Sequence, residues 1–192
     1  MKKKILLAAA IVICFAMAAS GTLAYFTKTD TARNVITSGG INIEIREWTI
    51  VDGEQAEFPK EGLEGVMPGT SASKVVKIEN TGPNEAWIRV KVESSIKDAN
   101  GTPLASTLEN GTPVIHFDIL DGWIDGGNGY YYYSKPVAPK HFTTELLEEV
   151  TFAPQMGNEY QNCKANLVVY AQAVQTANNG STVQDAKGWP EA

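Results

Sequence analysis

The feature that most constrains the fold of this chain is a two-residue alternation of apolar and polar side chains, repeated in several short runs. In the clearest run, Ala86, Ile88, Val90 and Val92 alternate with Trp87, Arg89, Lys91 and Glu93. Successive side chains of a β-strand point to opposite faces, so this period predicts strands with one buried face. Similar runs begin at Ile41, Lys74 and Ile115, and a run from Leu167 is apolar on both faces, as a central strand is.

Turn residues separate these runs and complete the prediction of the fold. Pro68-Gly69, the stretch 80–83 and two Asn-Gly-Thr-Pro copies at 100–103 and 110–113 are typical of tight turns. Seven or eight short strands with such spacing predict an all-β antiparallel sandwich. We expect the strands at 74–79 and 86–92 to pair as a hairpin, and short helical turns at 106–108 and after Thr143.

The first 24 residues have the layout of a secretory signal peptide. Lys2–Lys4 precede an apolar run from Ile5 to Ala19, which is shorter than a comfortable membrane span. Small Thr22 and Ala24 suit the −3 and −1 subsites of a signal peptidase, so the mature chain is predicted to begin at Tyr25. An uncleaved membrane anchor is the alternative. We therefore divide the chain into a signal peptide (1–24), an extended arm (25–38) and a sandwich domain (39–192).

Several segments resemble the TasA/camelysin-like secreted proteins of Gram-positive bacteria, whose signal peptides are removed by a SipW-type signal peptidase. The segments that carry the resemblance are 21–27, 30–39, 67–70, 75–82, 87–92, 171–175 and Gly188-Trp189. The resemblance implies a jelly-roll sandwich, with an immunoglobulin-like topology as the alternative. It also implies a secreted protein that self-associates into fibres at the cell surface or in the biofilm matrix.

Charge and cysteine content agree with an exported protein. Without the signal peptide the chain has 13 basic and 22 acidic residues, a net charge of −9. This balance argues against a nucleic-acid partner and against binding to anionic lipid, so contact with the membrane is expected only before signal cleavage. Cys163 is then the sole cysteine, and we interpret it as an inert small residue.

Motifs for catalysis and metal binding do not emerge from the sequence. His116 and His141 do not form a His-Glu-x-x-His motif, and no Gly-x-Ser-x-Gly elbow is present. The loop at 121–129 fails the EF-hand pattern, because Trp123 occupies a ligand position. We predict that the protein is not an enzyme and needs no metal or cofactor. A camelysin-like metallopeptidase is the less favoured alternative.

An aromatic run offers a second functional hypothesis. Trp123 and the four tyrosines Tyr130, Tyr131, Tyr132 and Tyr133 flank a Gly-rich loop and form a predicted hairpin. Exposed aromatic faces stack on sugars and peptides, which would make the protein an extracellular carbohydrate- or protein-binding module. Tyrosine is also a common strand residue, and at least one alternate pair of these rings should face inward.

The arm at 25–38 carries the assembly hypothesis. It is polar, rich in threonine and free of proline, and Tyr25, Phe26, Val35 and Ile36 are the side chains expected to fill a neighbour's pockets. An arm of one subunit can add a strand to the open sheet edge of the next, and head-to-tail repetition builds a filament. The alternative is an arm that folds back onto its own domain.

Overall fold

The computed structural model describes the backbone of residues 34–37 and the full residues 40–58 and 67–190. Residues 1–33, which include the predicted signal peptide and most of the arm, lie outside this range. The described chain forms ten strands and one short 3₁₀ helix at Asn158–Tyr160. The strands are β1 Asn34–Thr37, β2 Ile43–Val51, β3 Glu54–Glu57, β4 Ser71–Asn80, β5 Ala86–Lys97, β6 Ile115–His116, β7 Trp123–Asp125, β8 Tyr131–Tyr133, β9 Leu147–Phe152 and β10 Lys164–Gln175.

The strands form two five-stranded sheets that enclose one main core, so the predicted all-β sandwich is confirmed. Sheet one has the order β1-β10-β5-β8-β7, and sheet two has the order β3-β2-β4-β9-β6. β10 and β5 pair antiparallel from end to end, whereas β1 runs parallel to β10. The other pairs are antiparallel, and β4 is irregular between Ser73 and Val76 where it meets β9.

The main core lies between the sheets and contains the apolar positions of the alternating runs. Ile88 and Val90 of β5 are fully buried, and Leu167 and Val169 of β10 are buried beside them. From sheet two, Ile43, Ile45 and Ile78 close the core. The period of two therefore placed the buried faces correctly, because a strand residue and its second neighbour share one side of the sheet.

The predicted hairpin between β4 and β5 is wrong, because these strands belong to different sheets. After Asn80 the chain crosses from sheet two to sheet one and enters β5 at Ala86. The crossing is tight: the Gly82 N–H donates to the carbonyl of Asn42 at 2.9 Å. A Cβ atom on Gly82 would lie 2.7 Å from the Asn42 nitrogen, so only glycine fits this approach.

Both predicted helical turns are also wrong. Residues 106–108 lead into a turn closed by Gly111 N–H donating to Leu108 O, and Thr107 bridges to Pro113. Thr143 lies in a segment without helical structure, and its hydroxyl accepts a hydrogen bond from Ile78 N–H at 3.0 Å. The strand expected from Ile115 onward is limited to Ile115–His116. Pairing with neighbouring strands outweighed local propensity in these segments.

The outer face of sheet one is covered by residues 176–190, which we call the strap. Its Val183 and Ala186 are buried with Trp87, Tyr132 and Val174 in a second, smaller apolar cluster. This cover explains the apolar Val174 on the outer side of β10: the inner side of the strand packs in the main core, and Val174 packs with the strap.

Candidate functional site

The outer edge of β10 is the part of the fold best suited to strand addition. β10 spans 12 residues, and on its outer side β1 pairs with Tyr170–Ala173 alone. Along Lys164–Val169, within the described part of the chain, β10 pairs only with β5 on its inner side. Backbone groups on an uncovered edge are a ready template for another strand.

The arm residues fall partly within this edge. Val35 and Ile36 lie in β1, opposite Ala171 and Gln172 of the same chain. The end of the arm therefore folds onto its own domain, which is the alternative that the sequence left open. Tyr25 and Phe26 of the arm, and the cleavage positions Thr22, Ala24 and Tyr25, lie outside the described residues.

The predicted ligand platform divides between two environments. The hairpin β7–β8 is present as predicted. Trp123 and Tyr133 belong to the main core, with ring centroids 5.2 Å apart. Trp123 Nε1 donates to the Glu145 carbonyl, and Tyr133 Oη accepts from Thr144 N–H. Tyr131 packs against the same core. Trp123 and Tyr133 are therefore buried parts of the sandwich, and Tyr131 is a partly buried ring beside them.

Tyr130 and Tyr132 point to the outer side of sheet one, where they surround Arg89. The Arg89 guanidinium carbon lies 4.1 Å from the centre of the Tyr130 ring and 4.6 Å from that of Trp189 in the strap. Tyr132 is 8% exposed and meets Trp189 edge to face at 5.9 Å between centroids. We call Arg89, Tyr130, Tyr132 and Trp189 the arginine cluster.

Hydrogen bonds hold the strand-borne part of the arginine cluster in place. Arg89 Nε donates to Gln172 Oε1 at 2.8 Å, and an Arg89 terminal nitrogen donates to Tyr132 Oη at 3.2 Å. Asn128 of the Gly-rich loop donates to the same Tyr132 oxygen at 3.0 Å. The sequence did not reveal this cluster, because its members come from β5, from β8 and the loop before it, and from the strap. The alternation did place Arg89 on the face opposite Val90.

The histidines are separate from one another in their contacts. His116 Nε2 lies 3.3 Å from an Asp118 carboxylate oxygen, and His141 Nδ1 lies 2.9 Å from the Pro139 carbonyl. Among the described residues, no group of three or more His, Cys, Asp and Glu side chains is placed to hold a metal. In the 121–129 loop, Asp125 accepts from Gly127 N–H at 2.8 Å, so this carboxylate serves the turn.

A buried cysteine and a surface groove lie apart from the arginine cluster. Cys163 is buried, and this burial raises the pKa of its thiol, which disfavours the reactive thiolate. A surface groove of about 500 Å³ beside β6 and β9 is lined by polar and apolar groups that include His116, Glu149 and Thr151. Within the described ranges, no helix reaches the length and apolarity that crossing a membrane requires.

Comparisons with known proteins add no assignment: no family model, curated protein or solved structure matches this chain.

Proposed function

We propose that this protein is a secreted structural protein of the cell surface or biofilm matrix, which assembles into fibres by exchanging its N-terminal strand between copies. The observation that carries the proposal is the outer edge of β10: in the described part of the chain, β1 pairs with four residues of this 12-residue strand. The resemblance to TasA/camelysin-like proteins supports the same function. A SipW-type signal peptidase would release the arm for this role.

β1 has the properties of a strand that can leave its own domain. It is four residues long, and it is joined to β10 by a parallel ladder, which is slightly less stable per residue than an antiparallel one. It lies at the edge of sheet one, so it shares hydrogen bonds with one neighbour. An edge strand of this kind is a low-cost element for exchange between identical chains.

The exchanged contact would reproduce the ladder seen within one chain. A neighbour's Asn34–Thr37 would pair with Tyr170–Ala173, and the residues preceding Asn34 would extend along Lys164–Val169. The donor surface and the acceptor edge differ, so the contact is head-to-tail and each subunit leaves a new edge open. Repetition of such a contact gives an open filament rather than a closed dimer.

A disulfide exchange experiment tests the proposal. One chain carries Asn34→Cys and the other carries Tyr170→Cys, since these positions are direct partners in the ladder. Both chains also carry Cys163→Ala, which removes the buried native thiol. Under oxidising conditions that form fibres, we expect covalent heterodimers on a non-reducing gel, because only an exchanged strand brings the two cysteines together.

The matched control replaces Tyr170→Cys with Ile124→Cys, which is exposed on β7 at the opposite edge of sheet one. Equal crosslinking in the two mixtures would contradict strand exchange. Intact mature protein that stays monomeric at every concentration and pH tried would contradict fibre formation itself. We do not extend the proposal to a binding module or a metallopeptidase, because no contact described above favours either.

A further inference from the structure

The arginine cluster has one member that differs from the others in how it is held. Arg89 and Tyr132 are fixed by β5 and β8 and by hydrogen bonds to Gln172 and Asn128, and Tyr130, directly before β8, donates its backbone N–H to the Asn128 side chain. Trp189 comes from the strap and completes the stack from outside. Its indole N–H donates to the Ala186 carbonyl at 3.0 Å, which is a hydrogen bond within its own segment.

The rest of the strap is held independently of Trp189. The Asn179 side chain donates to the Lys187 carbonyl at 3.0 Å and accepts from Lys187 N–H at 2.8 Å, which closes residues 179–187 into a loop. Trp87 Nε1 donates to the Asn179 carbonyl, and Val183 and Ala186 pack in the outer cluster. The strap up to Lys187 therefore has its own contacts with the sheet.

Gly188 separates this closed loop from Trp189. Its φ is +75°, a left-handed conformation that glycine adopts without strain, and a Cβ built there would meet nothing within 4 Å. The chain thus turns back at an open position, and Trp189 is half-buried rather than enclosed. A rotation at this glycine, with loss of the indole bond to Ala186, would take the indole from Arg89 without breaking the Asn179–Lys187 hydrogen bonds of the loop before it.

Departure of the indole would leave a slot with a defined chemistry. Its inner wall is the flat guanidinium of Arg89, whose central carbon also lies 4.1 Å from the centre of the Tyr130 ring. Its second wall is the Tyr132 ring, which meets an indole edge to face. A guanidinium prefers the face of tryptophan over other aromatic rings, and edge-to-face aromatic pairs add to this preference. The slot therefore matches a tryptophan side chain.

We propose that this slot is an exchangeable docking site for a Gly-Trp-Pro segment: residues 188–190 fill it within one chain, and the same segment of a second copy can enter it. The site lies on the outer face of sheet one, apart from the β10 edge. Peptide binding at this slot and strand exchange at the β10 edge are measured in separate experiments, so failure of one proposal leaves the other intact.

The test uses the full mature chain with Trp189→Ala, which empties the slot, and a fluorescein-labelled peptide of residues 187–192, Lys-Gly-Trp-Pro-Glu-Ala. Fluorescence anisotropy should show saturable binding to Trp189→Ala and at least tenfold weaker binding to the intact chain. A peptide with alanine in place of tryptophan should not bind. Adding Arg89→Ala to Trp189→Ala should reduce the peptide affinity at least tenfold.

Two controls keep the test decisive. Lys91→Ala removes another basic side chain from the same face of β5 and should leave peptide binding unchanged. If Arg89→Ala does not fold, Arg89→Lys in the Trp189→Ala chain takes its place. Lysine retains the charge without the flat stacking surface, so this variant should bind the peptide several-fold more weakly than Trp189→Ala alone. Folded Trp189→Ala that does not bind the peptide would overturn the proposal. The proposal would also be overturned if adding Arg89→Ala left the peptide affinity of Trp189→Ala unchanged. Equal peptide affinity of the intact chain and Trp189→Ala would overturn it too.

Discussion

The side-chain amide of Asn80 donates a 2.8 Å hydrogen bond to the backbone carbonyl of Val137 and so joins the two sheets. Asn80 ends β4 in sheet two, and Val137 bridges to Ala86 at the start of β5 in sheet one. The same amide donates to Asn84 O, and its oxygen accepts from Gly82 N–H. One fully buried side chain thus satisfies three backbone groups where the chain changes sheets.

Replacing Asn80 with alanine is expected to reduce the free energy of unfolding by about 2–3 kcal/mol, because three hydrogen bonds of a fully buried side chain are lost. Urea denaturation followed by tryptophan fluorescence measures the change. Asn84→Ala is the matched control: this side chain is exposed, makes a long 3.4 Å bond to Gly40 O, and should cost no more than about 0.5 kcal/mol. Equal losses of unfolding free energy in the two variants would show that the buried Asn80 amide does not stabilise the contact between the sheets.

Neighbouring positions on β5 should respond very differently to truncation. Val90 is fully buried in the main core, so Val90→Ala should cost about 1–3 kcal/mol through lost apolar burial and a residual cavity. Lys91 points to the outer face and pairs with Glu93, and Lys91→Ala should cost about 0.5 kcal/mol or less. Chemical denaturation of both variants provides the comparison, and a larger loss at Lys91 would contradict the assigned faces.

The ion pair between Lys77 and Glu145 gives a prediction about acid stability. Lys77 Nζ lies 2.6 Å from a Glu145 carboxylate oxygen, and this hydrogen bond is the main reason that the pKa of Glu145 is lowered. A lowered pKa in the folded state means that the unfolded chain binds the proton more readily. The stabilisation is therefore present above the ordinary glutamate pKa of about 4.3 and is lost as the pH falls through the folded value.

Glu145→Gln should consequently make stability less steeply dependent on pH below about 4.3. Thermal unfolding followed by circular dichroism between neutral and acidic pH measures the slope. The exposed Glu148 is the control, and Glu148→Gln should preserve the slope of the parent protein. A parent-like slope in Glu145→Gln would rule out this pair as a source of acid sensitivity.

Deletion of residues 25–37 should abolish fibres and leave a folded monomer. The deletion also removes β1 from its own domain, so we expect the thermal midpoint to fall by about 2–4 °C for each 1 kcal/mol of lost pairing. A free peptide of residues 25–37 should block fibre growth of the intact protein by occupying the β10 edge. Fibres of unchanged appearance from the deleted protein, seen by electron microscopy, would exclude strand exchange.

Signal processing can be checked on the same secreted material. Small Thr22 and Ala24 predict a mature chain that starts at Tyr25, so mass spectrometry should give the mass of residues 25–192. Ala24→Glu should leave the precursor associated with the membrane, because a charged residue does not fit the −1 subsite. An intact Met1 start in the secreted protein would contradict the predicted cleavage.

Local patterns in the sequence were sufficient for the longer strands and for one hairpin, whereas the short β3 was expected to be part of a polar loop. Ile41, Ile43 and Ile45 are buried as their alternation predicts, since side-chain direction in a strand depends only on position. The β7–β8 hairpin was also predictable, because its Gly-rich loop lies between its own two strands. The predicted β4–β5 hairpin is wrong, because two consecutive strands show the same alternation whether they pair with each other or belong to different sheets.

The sequence by itself determined that this chain forms strands, which side of each strand is apolar, and that Arg89 lies on the side opposite Val90. Only the tertiary structure decided that β5 pairs with β10, that β1 covers part of the β10 edge, and that Trp189 stacks on Arg89. The physical reason is sequence separation. Strand propensity and alternation act between near neighbours. These contacts instead join residues 67–136 positions apart, and they depend on how the whole core closes.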